Sequence, residues 1–178
     1  LIIIFNLNQN NKELIEEKKE IVQEEIENSN LIKDVEYKSK DSSGNVYILK
    51  ASEGIIDQSN NNIIYLTSIK AIIELKDYNS IDISSNFGKY NINNFDTIFS
   101  KNVIIKYLDN IIIGEYLELS LNKNLMTISR NVVFKNNKSS LKADVIEVDI
   151  RTKDIKISMY EENKKINIKS LNKKNGSN

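Results

Sequence analysis

Short runs in which apolar and polar residues alternate fill the chain from Leu31 onwards. Residues 114–121 alternate apolar side chains with Glu and Ser, and residues 143–150 repeat this texture 29 positions later. A period of two is typical of a β-strand with one buried face. The pattern therefore predicts many short strands, each about five to ten residues long.

A second motif repeats with the same offset. Ser100-Lys101-Asn102-Val103 begins a β-branched run that returns at Ser129-Arg130-Asn131-Val132, and a fainter copy covers residues 68–74. Repeats of roughly 30 residues suggest supersecondary units that stack on one another.

Clusters of Asn, Asp, Ser and Gly separate the alternating runs and predict turns. These turns lie at residues 41–45, 59–62, 77–80, 109–110, 122–124, 136–138 and 151–154. No helical pattern of convincing length follows Asn30. Many short strands at regular spacing predict a β-sandwich, a barrel or a jellyroll.

Alternation also assigns one set of side chains to a shared inner face. This face would bear Val103, Ile105, Tyr107, Leu117, Leu119, Leu121, Val132, Phe134, Ile146, Val148, Ile150, Ile155, Ile157 and Met159. Such a face can be an ordinary packed core, or an open apolar groove that holds acyl chains. Periodicity does not separate these two interpretations.

The first 30 residues have a different texture. Residues 1–5 are apolar, and we interpret residues 1–7 as the end of a truncated membrane anchor or signal segment; a first strand or a stray apolar terminus is the alternative. Residues 8–30 are interpreted as a polar stalk, helical over 12–28, or else a charged arm. Residues 171–178 are expected to be a disordered tail.

Composition narrows the possible chemistry. The 25 basic and 25 acidic residues give a formal net charge of +0, which argues against binding to nucleic acid. The chain has no Cys and no His, so neither a thiolate nor an imidazole can act as nucleophile, base or metal ligand. We predict no metal site and no cofactor.

Carboxylates are the remaining candidate catalysts. Glu115, Glu118, Glu147 and Asp149 lie in predicted strands, and paired carboxylates can hydrolyse glycosides. Because Glu118, Glu147 and Asp149 alternate with the apolar residues, we expect them to face solvent. We therefore predict no catalytic residues.

Residues 31–168 resemble the periplasmic domain of the LptC family of lipopolysaccharide-export proteins and, more loosely, LptA and OstA-like domains. The resemblance rests on Gly88-Lys89-Tyr90, on residues 99–105, 114–121 and 129–134, and on residues 141–144 running into Asp149. The family often has Gly where this chain has Asn102 and Asn131. Since Asn tolerates a left-handed backbone, we expect the turn to be kept.

The resemblance implies a twisted antiparallel β-jellyroll over residues 31–170, preceded by a short N-terminal helix. The domain would lie in the periplasm, held at the bacterial inner membrane by a single-pass anchor. It would accept lipopolysaccharide from the LptB/LptF/LptG transporter and pass it to an LptA-like bridge protein. No reaction would be catalysed by this chain.

The resemblance also gives roles to two groups of residues. The acyl chains would contact Val103, Ile105, Leu117, Leu119, Val132, Phe134, Ile146 and Val148. One of the last two strands should form an exposed edge that docks the partner through Lys156, Ile157, Ile166, Asn167 and Ile168. The alternatives are a soluble LptA-like bridge, a structural β-repeat scaffold, and a glycosidase or lyase on a β-solenoid.

Overall fold

A computed structural model describes residues 2–7, 30–41, 43–76, 78–161 and 166–170. All of the regular structure in these ranges is β, which confirms the predicted all-β, antiparallel fold class. The strands are β1 (Ile2–Leu7), β2 (Leu31–Asp41), β3 (Val46–Ile56), β4 (Ile63–Glu74), β5 (Ile81–Asn91), β6 (Thr97–Tyr107), β7 (Asn110–Ser120), β8 (Leu125–Lys135), β9 (Ser139–Asp149), β10 (Ile155–Ser158) and β11 (Asn167–Ser170).

The strands form one sheet in which neighbours in sequence are neighbours in space. The order runs from β1 to β10, and β11 also pairs with β9. Each of these pairs is antiparallel except that of β1 and β2, which is parallel, with Ile2 opposite Glu36 and Leu7 opposite Asp41. Among the described strands, the β1–β2 side and the β10–β11 side do not pair with each other, so the sheet stays open.

The seven predicted turns all lie at junctions between consecutive strands, and short polar side chains stabilise several of them. The Asn136 side-chain oxygen, for example, accepts hydrogen bonds from the backbone N–H of Lys138 (2.9 Å) and Ser139 (2.8 Å). One turn, over residues 92–96, was missed by the sequence analysis. There Asn91 and Asn94 accept from the N–H groups two positions further on.

Strands β6 and β8 each contain a bulge at their midpoint. Ser100 of β6 pairs with Tyr116 of β7, and Val103 pairs with Gly114. Between these two pairs, β6 therefore has one residue more than β7. The extra residue is accommodated by left-handed backbone, at Lys101 (φ 61°) and Asn102 (φ 55°) in β6. Arg130 (φ 67°) and Asn131 (φ 58°) repeat this in β8. The expected left-handed turn at Asn102 and Asn131 is therefore confirmed, and the 29-residue repeat corresponds to one strand pair.

The sheet folds back on itself at these midpoints. Neighbouring strands lie about 4.8 Å apart, so β2 and β5, three positions apart, would be separated by about 14 Å in a flat sheet. Yet the ring centroids of Tyr37 on β2 and Tyr90 on β5 are 5.2 Å apart. The two halves of each long strand therefore belong to two layers that face each other. Strands β2 to β9 are longer than predicted, at 11 or 12 residues, because each passes through this fold.

Two small residues face the buried side at the fold. A Cβ on Gly88 would lie 2.6 Å from Cδ1 of Ile69, and one on Gly114 would lie 2.8 Å from Cγ1 of Ile128. Both distances are too short for a real side chain. The absence of a Cβ thus lets the isoleucines of neighbouring strands fill the bend.

Several predictions for the chain ends lie outside the described residues. The predicted helix over 12–28 and the predicted tail over 171–178 belong to this group. Residues 2–7 are described as strand β1, and their assignment to the end of a membrane anchor stays a prediction. In the described ranges no helix has the length and apolarity required to cross a bilayer.

The bulge geometry predicts the effect of a β-branched residue at Asn102. Asn102→Val should lower the free energy of unfolding by about 1–3 kcal/mol, because Val is strained at positive φ. Asn102→Gly should be tolerated, since Gly adopts this conformation freely. Urea unfolding measures both, and Asn110→Val, at a strand position without positive φ, is the control. Equal losses for the two Val variants would contradict the assignment.

Candidate functional site

The inner face of the first layer carries a continuous apolar row. Each strand from β2 to β9 contributes one residue to this row, and each residue is the direct cross-strand partner of the next. The row comprises Tyr37, Leu49, Ala71, Ile83, Ile105, Ile112, Phe134 and Leu141. Eight strands about 4.8 Å apart give it a length of about 34 Å along the sheet.

A second row crosses the facing layer from β3 to β10. Its members are also direct cross-strand partners. They are Gly54, Leu66, Gly88, Phe99, Leu117, Ile128, Ile146 and Ile157. Phe99, Leu117 and Ile146 are fully buried. The two rows face each other and form one core cluster, so the interior is an apolar track that runs across the strands.

The structure places the predicted acyl-chain residues in this interior. Val103, Ile105, Leu117, Leu119, Val132 and Ile146 are buried, and Phe134 and Val148 are partly buried against the same core. Tyr107, Leu121, Ile157 and Met159 also pack against it. Ile155 was expected on the inner face, but it is 51% exposed. It lies in β10, at the edge of the sheet, where no further strand covers it.

Half of the interior was missed by the sequence analysis. Strands β2 to β5 supply Tyr37, Tyr47, Leu49, Ala71, Ile73, Ile83 and Tyr90, all of which are buried. The inward positions on β5 change from Ser85 to Gly88, three residues apart, because the strand folds there. A strict alternation cannot be followed through such a step. On the N-terminal side of this step, the alternating run Ile81-Asp82-Ile83 could have indicated that Ile81 and Ile83 face the interior.

One end of the interior carries hydroxyl groups. Tyr37 lies beside Tyr90 and Phe95, with ring centroids 5.2 and 6.0 Å away. The Tyr47 hydroxyl donates to Oδ2 of Asp41 at 2.9 Å. Burial raises the pKa of Tyr37, Tyr47 and Tyr90, so these phenols remain neutral across the physiological range. A cavity of about 20 Å³ lies among these rings and Leu119.

No charged residue is among the buried residues in the part of the chain that the structure describes, although the partly buried Asp41 carboxylate reaches Tyr47 at the hydroxyl end of the interior. Its buried polar residues are Ser39, Ser85 and Thr97. An uncharged aliphatic wall gives no electrostatic barrier to an acyl chain, whereas a buried unpaired charge would cost several kcal/mol. The arrangement can therefore hold hydrocarbon.

The four candidate carboxylates do not form a catalytic pair. Glu115 and Glu118 are exposed, Glu147 pairs with Lys156 at 3.0 Å, and Asp149 accepts from the backbone N–H groups of Arg151 and Thr152. The hydrogen bonds from Thr152 and Arg151 hold the pKa of Asp149 below its usual value. Over the described ranges, no group of three or more carboxylates is placed to hold a metal ion.

The last two strands divide one edge of the sheet between the two layers. Strand β10 pairs with residues 145–148 of β9, and β11 pairs with residues 139–142. Both strands, rather than one, therefore lie at the edge. Of the predicted docking residues, Lys156, Ile166 and Ile168 are exposed, whereas Ile157 packs against the core. Asn167 lies in β11, opposite Lys142.

Comparison with known proteins relates this architecture to lipopolysaccharide transport. A family model described as "LptC: Lipopolysaccharide-assembly, LptC-related" matches residues 1–160, which confirms the resemblance inferred from the sequence. No curated protein shows significant sequence similarity to the chain. The crystal structure of LptH from Pseudomonas aeruginosa, described as the LptA homologous periplasmic component of the lipopolysaccharide transport device, is similar in fold. Its TM-score is 0.52 at 7% identity, over 71% of this chain and 94% of that chain.

Burial along β7 predicts very different costs for two adjacent truncations. Leu117→Ala should lower the free energy of unfolding by about 2–5 kcal/mol, because it leaves a cavity in the track. Glu118→Ala should change it by less than about 0.5 kcal/mol, because Glu118 is exposed. Chemical denaturation of both variants tests the inner and outer assignment, and similar values would refute it.

Proposed function

The chain belongs to the LptC-related family of lipopolysaccharide-assembly proteins, and on this premise we propose a specific task for it in lipopolysaccharide transport. It accepts lipopolysaccharide from the inner-membrane LptB/LptF/LptG transporter and passes it to an LptA-like bridge protein. The acyl chains travel along the interior between the two layers. The chain itself is not an enzyme and uses no cofactor.

The observation that carries the proposal is the pair of apolar rows that cross the sheet. A lipid that moves through water loses about 0.8 kcal/mol for each methylene that leaves an apolar environment. A continuous apolar path removes this barrier. Each row runs through eight strands with Ile, Leu, Phe, Ala or Gly at every position except that of Tyr37, and this continuity supports a path for acyl chains across the domain.

Loading requires the two layers to separate. Side chains such as Phe99, Val103 and Leu117 are fully buried, so the interior is filled by the protein itself. The open edges of the sheet supply the seam at which the layers part. Acyl chains then replace the contacts between the layers, in the same way that one apolar surface replaces another in a core.

The edge formed by β10 and β11 is the handover surface. An edge strand offers unpaired backbone N–H and C=O groups, and another sheet can extend across it by strand addition. Both layers end here, so a partner sheet that pairs with both strands would continue the interior. Lys156, Ile157, Ile166, Asn167 and Ile168 are the docking residues, Ile157 through its backbone.

The proposed location is the periplasmic face of the bacterial inner membrane. The family resemblance supports a single-pass anchor, with residues 1–7 as its end. The alternative is a soluble bridge of the LptA kind. The similarity in fold to LptH, an LptA homologous periplasmic component, supports this alternative. Membrane fractionation of the full-length protein distinguishes the anchored form from the soluble one.

The two faces of β7 predict the outcome of a charge-insertion experiment. Leu119→Arg should strongly reduce the amount of lipopolysaccharide bound per folded protein, because Leu119 lines the interior and a buried charge opposes acyl insertion. Glu118→Arg, the matched control, places the same side chain on the outer face. Circular dichroism first establishes that both variants fold. Equal lipid loading by two folded variants would refute the interior path.

The edge assignment predicts the effect of removing β11. Truncation after Asn163 should leave a folded protein that no longer captures its LptA-like partner, because one layer then lacks its last strand. Photo-crosslinkers at Lys156, Asn167 and Lys169 should reach the partner in the intact chain. Crosslinks from the Val35–Tyr37 end alone, or capture that survives truncation, would place the handover surface elsewhere.

A further inference from the structure

The outer face of β3 to β6 carries an apolar groove that the transport path does not use. It has a volume of about 370 Å³ and is open on one side. Three large apolar residues on it are unusually exposed: Ile55 (52%), Tyr65 (46%) and Phe87 (43%). The full lining is Ile55, Tyr65, Leu66, Thr67, Phe87, Gly88, Lys89, Ile98 and Ser100.

The register of the sheet explains why these side chains converge. Ile55, Tyr65, Lys89 and Ile98 are direct partners on four successive strands. The next outward row contains Thr67, Phe87 and Ser100. The groove lies between these two rows, on the side of the layer opposite to the buried track.

Two ammonium groups lie at this groove. The Lys89 Nζ is 6.0 Å from the centre of the Tyr65 ring, and the Lys101 Nζ is 5.4 Å from that of Phe87. The ion pairs found in the described ranges are Lys50–Glu36 and Lys156–Glu147, so neither of these two lysines is neutralised there by a carboxylate. Glu53 and Glu118 occupy the next cross-strand positions, beside Thr67 and Ile98. The Glu115 carboxylate also lies nearby, where its Oε2 accepts a hydrogen bond from the Asn102 N–H at 3.4 Å. The two ammonium groups near the Tyr65 and Phe87 rings are therefore the cationic contacts that the groove offers, with carboxylates around them.

We propose that this outer groove binds a single-chain anionic amphiphile of the lysophospholipid type. The acyl chain lies against Ile55, Phe87 and Ile98, and the phosphate contacts Lys89 and Lys101. The volume is near the lower end of the range for small-molecule sites, about 300–1,000 Å³, which suits one chain and excludes a lipid with many. An exposed apolar groove with unneutralised cations matches both parts of such a molecule.

The test is a titration of the full chain with dodecyl phosphate, below the critical micelle concentration of this amphiphile. Binding is measured from the chemical shifts of the backbone amides by NMR. Saturable one-to-one shifts are expected around Tyr65, Lys89 and Ile98. Phe87→Ser should weaken binding at least tenfold. Tyr116→Ser is the matched control and should change the affinity less than twofold. The Tyr116 ring also lies beside a cation, with Cζ of Arg130 4.6 Å from the ring centroid, but Tyr116 does not line the groove. Lys89→Gln combined with Lys101→Gln should weaken binding of dodecyl phosphate and leave that of uncharged dodecyl maltoside unchanged.

Three results would overturn the proposal. Equal losses in Phe87→Ser and Tyr116→Ser would indicate a general effect of the outer face. Shifts confined to the interior positions Leu117 and Leu119 would assign the amphiphile to the transport path. Binding to phosphatidylglycerol vesicles without binding of monomeric dodecyl phosphate would indicate a membrane-contact surface. Leu119→Arg, which alters only the interior, should leave the outer groove unaffected, so the two proposals fail separately.

Discussion

The left-handed backbone inside the long strands, clearest at the midpoints of β6 and β8, is the constraint on which the rest of the structure depends. Lys101-Asn102 and Arg130-Asn131 each accommodate one extra residue and fold the strand. Asp34 in β2 (φ 51°) and Ser68 in β4 (φ 53°) also adopt a left-handed backbone inside a strand. The interior forms where the strands fold in this way, and the folded sheet brings the rings of Tyr37 on β2 and Tyr90 on β5 to 5.2 Å from each other. Each left-handed segment costs local strain, which the packing of the two layers offsets.

Folding the strands gives the domain two chemically different surfaces. Side chains that face between the layers are aliphatic, aromatic or small. Those that face out are largely polar or charged, although large apolar side chains are also exposed, both at the groove around Phe87 and elsewhere, as at Leu108, Tyr160 and Ile168. Because the apolar side chains line up across the strands, the buried track runs perpendicular to the strand direction. It reaches the sheet edge where β10 and β11 end the two layers. The proposed path for a lipid and the proposed docking surface for a partner thus follow from the same fold.

Clusters of Asn, Asp, Ser and Gly were sufficient to predict seven turns. The left-handed backbone at Asn102 and Asn131 was expected because the family that the chain resembles often has Gly there and Asn tolerates the same conformation. Alternation in the sequence was sufficient to predict β-strands and the inner face of β6 to β9. Alternation failed where the inward positions are not two residues apart. On β5 the inward residues Ser85 and Gly88 are three apart, so a pattern with a period of two assigns residues beyond this step to the wrong face. Ile155 shows a second reason, because its exposure depends on the end of the sheet and not on its neighbours in sequence.

From β2 to β10, each strand of the sheet pairs with its neighbours in sequence, and this order has a mechanical consequence. Hydrogen bonds between backbones run only along the sheet, whereas the contacts between the layers are made by side chains such as Tyr37 and Tyr90. The layers can therefore separate at the seam while the hydrogen bonds between neighbouring strands stay intact. An opening of this kind, which the proposed loading with lipid requires, would break side-chain contacts and leave the secondary structure in place.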